Sequence, residues 1–338
     1  MRIASGLMDA DFEAKTEKEL ERMASKGCRV LVTGGSGYLG SILVEMLLAR
    51  GFHVDVVDNL AYSQNTLFNL FHTGRLRFIH ADVTNEKSME KVLSEKYDFI
   101  FPLAAIVGFP VSEQKPEVTW LINHQSIVYL LKKRRKGARV IFPTTNSGYG
   151  SSGQNTLCTE ESPLSPLSTY GKSKVEAEKA VLAAGDSIAF RLATLYGFSP
   201  RMRTDLLVND FVFKAANERS IVLFERKFKR NFLHVRDAAR GFLFAMANWE
   251  SMKNKVYNLG HPDYNISKEE LCLIIKKQVP QLNIFNAEIG SDPDKRDYVI
   301  SNERVLATGF KFNHSLEKGI TELLEGYKAF KDFRFKNY

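Results

Sequence analysis

The residues best suited to chemistry are a tyrosine and a lysine four positions apart. In the stretch YGKSK, Tyr170 and Lys174 stand at i and i+4, so a helix places both side chains on one face. A free phenol has a pKa of about 10 and becomes a useful base near neutral pH only beside a cation, which Lys174 supplies. Any helix can contain this pair by chance, so its meaning depends on the surrounding sequence.

A threonine that precedes this pair adds a second polar group. Thr144 and Thr145 end an apolar segment, ARVIFPTT, that predicts a strand. The carboxyl edge of a parallel sheet is where α/β proteins bind ligands. Thr145 is therefore predicted to hydrogen-bond a substrate hydroxyl while Tyr170 removes its proton and a hydride leaves the same carbon. The alternative is that Thr145 only caps the end of its strand.

A hydride needs an acceptor, and the glycine-rich stretch VLVTGGSGYLGS at 30–41 predicts a site for one. Gly35, Gly37 and Gly40 fit the pattern GxGxxG, and Gly34, Gly37 and Gly40 equally fit GxxGxxG. The loop leaves a strand and opens a helix, where backbone N–H groups and the helix N-terminus bind a dinucleotide pyrophosphate.

Acidic residues at the ends of the next two strands complete the predicted dinucleotide site. Asp58, in VVDNL, lies about twenty residues beyond the loop, where a carboxylate accepts hydrogen bonds from the adenosine ribose. Because a carboxylate there repels a 2′-phosphate, the predicted cofactor is NAD rather than NADP. Asp82, in HADVT, is expected either to reach the adenine edge or to cap the following helix.

Short apolar segments and helical patterns alternate from residue 29 onward and position these residues. Segments rich in β-branched and aromatic residues predict buried strands at 29–33, 53–57, 76–80, 98–104, 138–144 and 187–194. Helical patterns lie between them at 39–50, 85–95, 117–136 and 166–184. The last helix is predicted to have Ser165 as its cap and Pro166 as its first residue. The expected fold class is α/β, with a Rossmann-type doubly wound parallel sheet.

Three regions are expected along the chain. Residues 1–27 form a helical N-terminal extension, and residues 28–197 form an NAD-binding Rossmann domain. Residues 198–338 are mainly a smaller, interleaved substrate lobe, although elements at about 230–250 return to the first domain. The lobe is expected to contain strands at 221–224, 231–235 and 256–260 and helices near 206–217, 235–248, 267–278 and 315–331.

Composition argues against several classes of partner. The net charge of +8 forms clusters only at 132–136 and 225–230, so no nucleic-acid binding is predicted. Cys28, Cys158 and Cys272 lack CxxC spacing and the histidines lack ligand spacing, so reduced thiols in the cytoplasm and no metal site are expected. No apolar run reaches the length of a membrane span, so no membrane partner is expected.

Together these motifs resemble the extended short-chain dehydrogenase/reductases, in particular the NAD-dependent nucleotide-sugar epimerase/dehydratase family. VTGGSGYLGS, VVDNL, ADVTN, PLAA, TTNSGYG, YGKSK, RLATLYG and RNFLHVRDAARG occur in the family's order across residues 29–330. The resemblance implies that NAD contacts Gly34, Gly37, Tyr38, Leu39, Asp58, Asn59, Asp82, Val83, Leu103, Ala104, Ala105, Tyr170 and Lys174. It implies that a nucleotide-diphosphate sugar contacts Thr145, Asn146, Thr194, Asn209, Arg230 and Arg296, and that the protein forms a homodimer.

The resemblance also implies a reaction. Thr145 and Tyr170 would act on the C4 hydroxyl of the sugar, and Lys174 would hold the nicotinamide ribose and tune Tyr170. The family's 4,6-dehydratases carry an acidic pair directly after the threonine, whereas this chain has Asn146 and Ser147, which cannot act as acids or bases near neutral pH.

Dehydration is therefore disfavoured, and 4-epimerisation with tightly retained NAD is the expected activity. One alternative is a 4-dehydrogenase that releases a 4-keto sugar. Another is a non-catalytic NAD-binding module with a regulatory or scaffolding role. The chain's set of Thr145, Tyr170 and Lys174 argues against the second alternative, because a pure binding module does not need these residues.

Overall fold

The structure is a computed structural model that describes residues 2–151, 156–287 and 296–329. Within these ranges the strands are β1 Arg29–Thr33, β2 His53–Asp58, β3 Leu76–His80, β4 Phe99–Pro102, β5 Arg139–Thr145, β6 Leu157–Cys158, β7 Ser187–Leu192, β8 Thr194–Tyr196, β9 Ser220–Leu223, β10 Lys229–His234, β11 Lys255–Leu259, β12 Asn265–Ser267, β13 Asn283–Asn286 and β14 Val299–Ile300. The helices are α1 Arg2–Ser25, α2 Tyr38–Ala49, α3 Glu86–Leu93, α4 Phe109–Gln114, α5 Pro116–Trp120, α6 Ser126–Lys133, α7 Thr169–Ala183, α8 Leu207–Asn217, α9 Val235–Ala247, α10 Trp249–Met252, α11 Lys268–Gln278, α12 Glu303–Leu306 and α13 Leu316–Ala329.

The described residues place seven strands in one parallel sheet, in the order β11-β7-β5-β4-β1-β2-β3. Their apolar residues are buried almost without interruption, as in β1 and β4, because helices cover both faces of the sheet. The chain runs outward from β1 through β2 to β3 and then returns to β4 on the other side of β1. This reversal opens a crevice at the carboxyl ends of β1 and β4. The predicted doubly wound α/β fold is confirmed.

Strand β11 belongs to this main sheet rather than to the lobe in which the sequence pattern suggested a strand at 256–260. It pairs in parallel with β7 from Lys255 opposite Ile188 to Leu259 opposite Leu192. Helix α9, which precedes it, packs against α2. A short apolar segment does not encode which sheet it joins, so this placement depends on the tertiary structure.

Two helical predictions were wrong in detail. The helix expected at 117–136 is interrupted by a π-helical turn, Leu121–Gln125, between α5 and α6. Helix α7 begins at Thr169 rather than at Pro166, because Ser168 is its cap and its side chain accepts a hydrogen bond from the Gly171 N–H at 3.1 Å. The Ser165 N–H instead donates to the Gly148 carbonyl at 2.9 Å, which holds Ser165 in the turn before the helix.

The N-terminal helix α1 packs on α9. Its Leu20 is buried in the main core, and Glu17 pairs with Arg50 at the end of α2. Smaller sheets, β12-β10-β8, β13-β9 and β14-β6, build the region beyond the crevice. In the described parts of the chain, no helix has the length and apolar character that crossing a bilayer requires.

Candidate active site

The glycine loop leaves bare backbone at the start of α2. Gly37 caps this helix without a side-chain hydrogen bond, and the first N–H groups of a helix have no partner within it. Gly34 has a φ of +71°, and a Cβ built there would lie 2.6 Å from the Ala104 nitrogen. A Cβ on Gly40 would overlap the Gly34 carbonyl. The loop therefore packs closely on the residues that follow β4 and leaves a helix N-terminus that suits a pyrophosphate.

A cavity of about 390 Å³ lies at the carboxyl ends of β1, β4 and β5, next to this loop. It brings together many residues predicted for the site: Gly34, Gly37, Tyr38, Leu39, Leu103, Ala105, Thr145, Tyr170, Lys174, Thr194 and Arg296. Among the described residues, the predicted ones outside its lining are Asp58, Asn59, Asp82, Val83, Ala104, Asn146, Asn209 and Arg230.

The acidic residues beyond the loop form a hydrogen-bonded edge beside β2. Asp58 accepts hydrogen bonds from the Ser36 N–H at 3.0 Å and from the Leu60 N–H at 2.8 Å. Burial raises the pKa of Asp58 and outweighs these two hydrogen bonds, which act to lower it. The Asn59 amide donates to Asp82 at 2.7 Å.

Asp82 also accepts both the N–H and the hydroxyl of Thr84. Burial raises the pKa of Asp82, but the hydrogen bonds from Thr84 and Asn59 outweigh this effect and hold it below its usual value. The side chain that caps α3 is Asn85. The capping alternative for Asp82 is therefore wrong.

Hydrogen bonds join Thr145, which lines the cavity with the predicted base Tyr170, to an arginine. The Thr145 hydroxyl donates to the Ser147 hydroxyl at 2.9 Å. Ser147 also accepts a hydrogen bond from the Arg296 guanidinium. Desolvation raises the pKa of Tyr170, while Thr145 and the positive charges of Arg296 and Arg203 oppose this rise.

Lys174 lies one helical turn after Tyr170 and is buried. Its Nζ lies 4.0 Å from the centroid of the Phe142 ring. Burial lowers the pKa of Lys174 to about 7, although the carboxylate of Glu178 favours the charged form. Glu178 itself forms a buried ion pair with Arg191, at 2.6 Å. The Lys174 side chain therefore gains or loses its positive charge near neutral pH.

Replacing Lys174 with methionine is expected to raise the melting temperature of the NAD-free protein most at acidic pH. The folded pKa of about 7 lies below the ordinary 10.5, so between these values the unfolded chain binds more protons and wild-type stability rises with pH. Below pH 7 the native state bears the full cost of a buried charge, which methionine removes. Thermal melts from pH 6 to pH 10 measure this, and a difference that does not shrink with rising pH would contradict it.

Two of the predicted substrate residues are engaged within the protein. Asn209 is fully buried, accepts the Gly197 N–H at 3.0 Å and donates to the Arg203 carbonyl at 2.8 Å. Arg230 is buried with its guanidinium carbon 5.8 Å from the ring centroid of Tyr298, which lines the cavity. Asn209 therefore braces the loop before α8, and Arg230 stands beside the cavity wall.

Asn146 is buried, and neither polar atom of its side chain has a hydrogen-bond partner. The adjacent Thr144 hydroxyl, which lines the cavity, also lacks one. Buried polar groups are normally paired. These atoms mark the end of β5 as a place where a ligand can add hydrogen bonds.

Arg201 and Arg203, which the sequence motifs did not indicate, also line the cavity. They belong to the stretch SPRMRTD, directly after the RLATLYG motif, and this position was the only available signal. Both are buried, with 5% and 7% of their surface exposed. Across the described residues, no group of three histidine, cysteine or acidic side chains is arranged to hold a metal ion.

Residues 30–260 match the model of the NAD dependent epimerase/dehydratase family, and the chain belongs to this family. It is an enzyme of the extended short-chain dehydrogenase/reductase class, and its cofactor is NAD. The bare glycine loop fits that cofactor, because a side chain on Gly34 or Gly40 would collide with neighbouring backbone.

The relatives have several activities. UDP-glucuronic acid decarboxylase 2 of Arabidopsis thaliana is 29% identical over 316 residues, which cover 90% of this chain and 69% of that protein. UDP-glucose 4-epimerase of Corynebacterium glutamicum is 26% identical over 267 residues, covering 72% and 79%. The structure of a dTDP-glucose 4,6-dehydratase from Streptomyces venezuelae with NAD bound has a TM-score of 0.78 at 25% identity, covering 90% and 98%.

Proposed function

We propose that the protein is a nucleotide-sugar 4-epimerase that retains its NAD between turnovers. The observation that carries this proposal is that Thr145, Tyr170 and Lys174 line the same cavity as the glycine loop. NAD, when bound, supplies an acceptor for a hydride and can return it. The activities named for the relatives, all on nucleotide sugars, support a nucleotide-diphosphate sugar as the substrate.

In this proposal the chain's own groups bind both ligands. The pyrophosphate of NAD lies against Gly34, Gly37, Tyr38 and Leu39, and the adenosine half against Asp58, Asn59, Asp82 and Val83. Leu103, Ala104 and Ala105 flank the cofactor. The sugar lies against Thr145, Asn146 and Thr194, and Arg296 and Arg230 attract the substrate diphosphate. Asn209 acts indirectly, since its amide is used to hold the loop before α8.

Proton transfer in this proposal runs through Tyr170. Its phenolate oxygen takes the proton of the C4 hydroxyl, and Thr145 hydrogen-bonds the same hydroxyl and fixes its direction. Arg296 and Arg203 already lower the pKa of Tyr170, although desolvation outweighs them without ligands. Lys174, with a pKa of about 7, hydrogen-bonds the nicotinamide ribose and gives Tyr170 a further cation when protonated.

The residues after Thr145 support epimerisation over dehydration. Elimination across C5 and C6 needs an acid and a base beside the sugar. Asn146 and Ser147 occupy the places where such groups would stand, and Ser147 is bonded to Arg296 and Thr145. Without an acid or a base at these two positions, elimination is disfavoured, and return of the hydride to C4 would complete the reaction.

A second candidate is decarboxylation of a nucleotide-linked uronic acid. It is favoured by the Arabidopsis relative, whose similarity extends over 90% of the chain. It begins with the same oxidation at C4, after which a sugar carboxylate leaves as carbon dioxide. Arg296, hydrogen-bonded to Ser147 beside Thr145, is placed to attract that carboxylate.

Incubation with a panel of nucleotide sugars in deuterated water is expected to give a C4 epimer without deuterium on carbon. The reason is that the hydrogen removed from C4 returns to C4 and does not exchange with solvent. Mass spectrometry and proton NMR of the product measure this. Deuterium at C5 with loss of carbon dioxide would indicate the decarboxylase, and deuterium at C5 with loss of water to a 6-deoxy-4-keto sugar would indicate the dehydratase. Accumulation of a 4-keto sugar with NADH would indicate a 4-dehydrogenase.

The proposal includes a homodimer in the cytoplasm. The helical run from α5 to α6 exposes Val118, Leu121 and Val128, each about two-fifths exposed, and a second copy can cover such an apolar face. The three cysteines are free thiols, as is usual in a reducing compartment.

A further inference from the structure

We propose that residues 197–206 form a strap across the NAD pyrophosphate, in which Arg201 and Arg203 bind the phosphate oxygens. This strap loop connects β8 to α8. The inference rests on the proposed position of NAD against the glycine loop. It assigns cofactor contacts to a segment that none of the dinucleotide motifs includes.

The strap loop is fastened directly to the start of α2. The Tyr38 hydroxyl donates to the Gly197 carbonyl at 2.7 Å, and the Ser199 hydroxyl donates to the Tyr38 carbonyl at 2.6 Å. Ser199 also lies 3.2 Å, hydroxyl to hydroxyl, from Ser41 on the same helix. Asn209 holds the other side through the Gly197 N–H and the Arg203 carbonyl. The strap is therefore positioned by the same helix turn that receives the pyrophosphate.

The two arginines lie along the span of a dinucleotide. The Arg201 guanidinium lies 4.7 Å from the ring centroid of Tyr62, which lines the cavity four residues after Asp58. The guanidinium of Arg203 is near Gly108, since a Cβ built on that glycine would lie 4.0 Å from its Nη2. Arg203 is also close enough to Tyr38 and Tyr170 to lower the pKa of both phenols. This interval, from the helix N-terminus to Tyr170, is the one that the pyrophosphate and nicotinamide ribose would occupy in the proposed position of NAD.

The local charge balance favours an anion here. Arg203 forms a bidentate ion pair with the buried carboxylate of Asp205. Burial and the positive charge of Arg203 lower the pKa of Arg201, so keeping this second cation in the cavity wall costs free energy. A pyrophosphate with two negative charges would offset that free-energy cost. The planar guanidinium group also matches the geometry of phosphate oxygens.

A diphosphate in this cavity has two sources, the cofactor and the nucleotide sugar. The strap arginines lie beside Tyr38 and Tyr62, on the glycine-loop side, whereas Arg296 lies beside Ser147. The cofactor is therefore the occupant that the geometry favours. A strap across the pyrophosphate slows NAD release, which is what an enzyme that reuses one NAD requires.

The test compares the binding of NAD and of UDP to Arg201→Met and Arg203→Met by calorimetry, with NAD release measured by stopped flow. The matched control is Arg226→Met, which removes an exposed arginine paired with Glu269. Each strap variant is expected to weaken NAD binding about 10-fold to 100-fold and to speed NAD release, while UDP binding changes less than about 2-fold. Unchanged NAD binding, or weaker binding of UDP alone, would overturn the proposal.

A double variant separates loss of the arginine from exposure of its acidic partner. Arg203→Met leaves the Asp205 carboxylate unpaired near the pyrophosphate, whereas Arg203→Met with Asp205→Asn removes both charges. The double variant is expected to keep a weakening of at least about 10-fold. Recovery of wild-type NAD affinity would show that Asp205 caused the effect and would overturn the proposal.

Hydrogen exchange of the wild-type protein provides a test that does not depend on the folding of any variant. NAD alone is expected to slow exchange of the backbone amides in 198–206, and UDP alone is not. Slowing by UDP alone would assign the strap to the substrate and contradict the proposal. Because these measurements use binding without turnover, a different catalytic activity would not affect their outcome.

Discussion

Replacing Tyr170 with phenylalanine is expected to lower kcat by about 10²-fold to 10⁴-fold while NAD remains bound. The variant keeps the ring but loses the oxygen that takes the C4 hydroxyl proton, and general base catalysis contributes a factor of this size. The Thr145 hydroxyl keeps its hydrogen bonds to Ser147 in this variant. Initial rates with the nucleotide sugar measure kcat, and bound NAD is measured by absorbance after gel filtration.

Tyr129→Phe is the matched control for this loss. Its hydroxyl donates to the Glu86 carbonyl at 3.0 Å in an exposed position on α6. This variant removes the same atom from a tyrosine outside the cavity and is expected to keep wild-type kcat. A Tyr170→Phe enzyme that turns over as fast as this control would remove Tyr170 from the proton path.

Replacing Gly34 with alanine is expected to weaken NAD binding about 100-fold or more, which corresponds to about 2.8 kcal/mol. The new methyl group would lie 2.6 Å from the Ala104 nitrogen and 2.7 Å from its Cα, so the glycine loop must move away from the residues that follow β4. The positive φ of +71° adds strain of about 1–3 kcal/mol for any residue with a Cβ. NAD titration by fluorescence and a thermal melt measure the two effects.

Gly74→Ala is the control that separates backbone strain at a positive φ from the collision of the new methyl group with neighbouring atoms. Gly74 has a similar φ of +65°, and a Cβ built there meets no atom within 4 Å. The control is expected to lower the melting temperature slightly and to leave NAD binding unchanged. If Gly34→Ala and Gly74→Ala bind NAD equally well, the close packing of the glycine loop does not shape the cofactor site.

The parallel sheet and the center of the cavity followed from local sequence signals. Strands β1 and β5 end at the glycine loop and at Thr145, and parallel strands bring such ends to one edge of a sheet. The i,i+4 spacing of Tyr170 and Lys174 specifies their shared face once α7 forms. These inferences needed no knowledge of long-range contacts.

Features that depend on tertiary contacts were missed or misplaced. Ser165 and Ser168 are both adequate helix caps by type, and the hydrogen bond between Ser165 and Gly148 decides between them. The sequence motifs did not indicate Arg201 and Arg203, because the burial of these arginines depends on the hydrogen bonds between the strap loop and α2. Asn209 resembled a substrate contact, yet its amide groups are satisfied by the same loop.

The proposed hydride return to C4 is tested most directly with a nucleotide sugar that carries deuterium at C4. Single-turnover reaction in ordinary water, followed by NMR of the product, reports where the label goes. The proposed epimerase predicts an epimer that keeps the deuterium at C4. Loss of the label to solvent, or its appearance in released NADH without an epimer, would contradict this account.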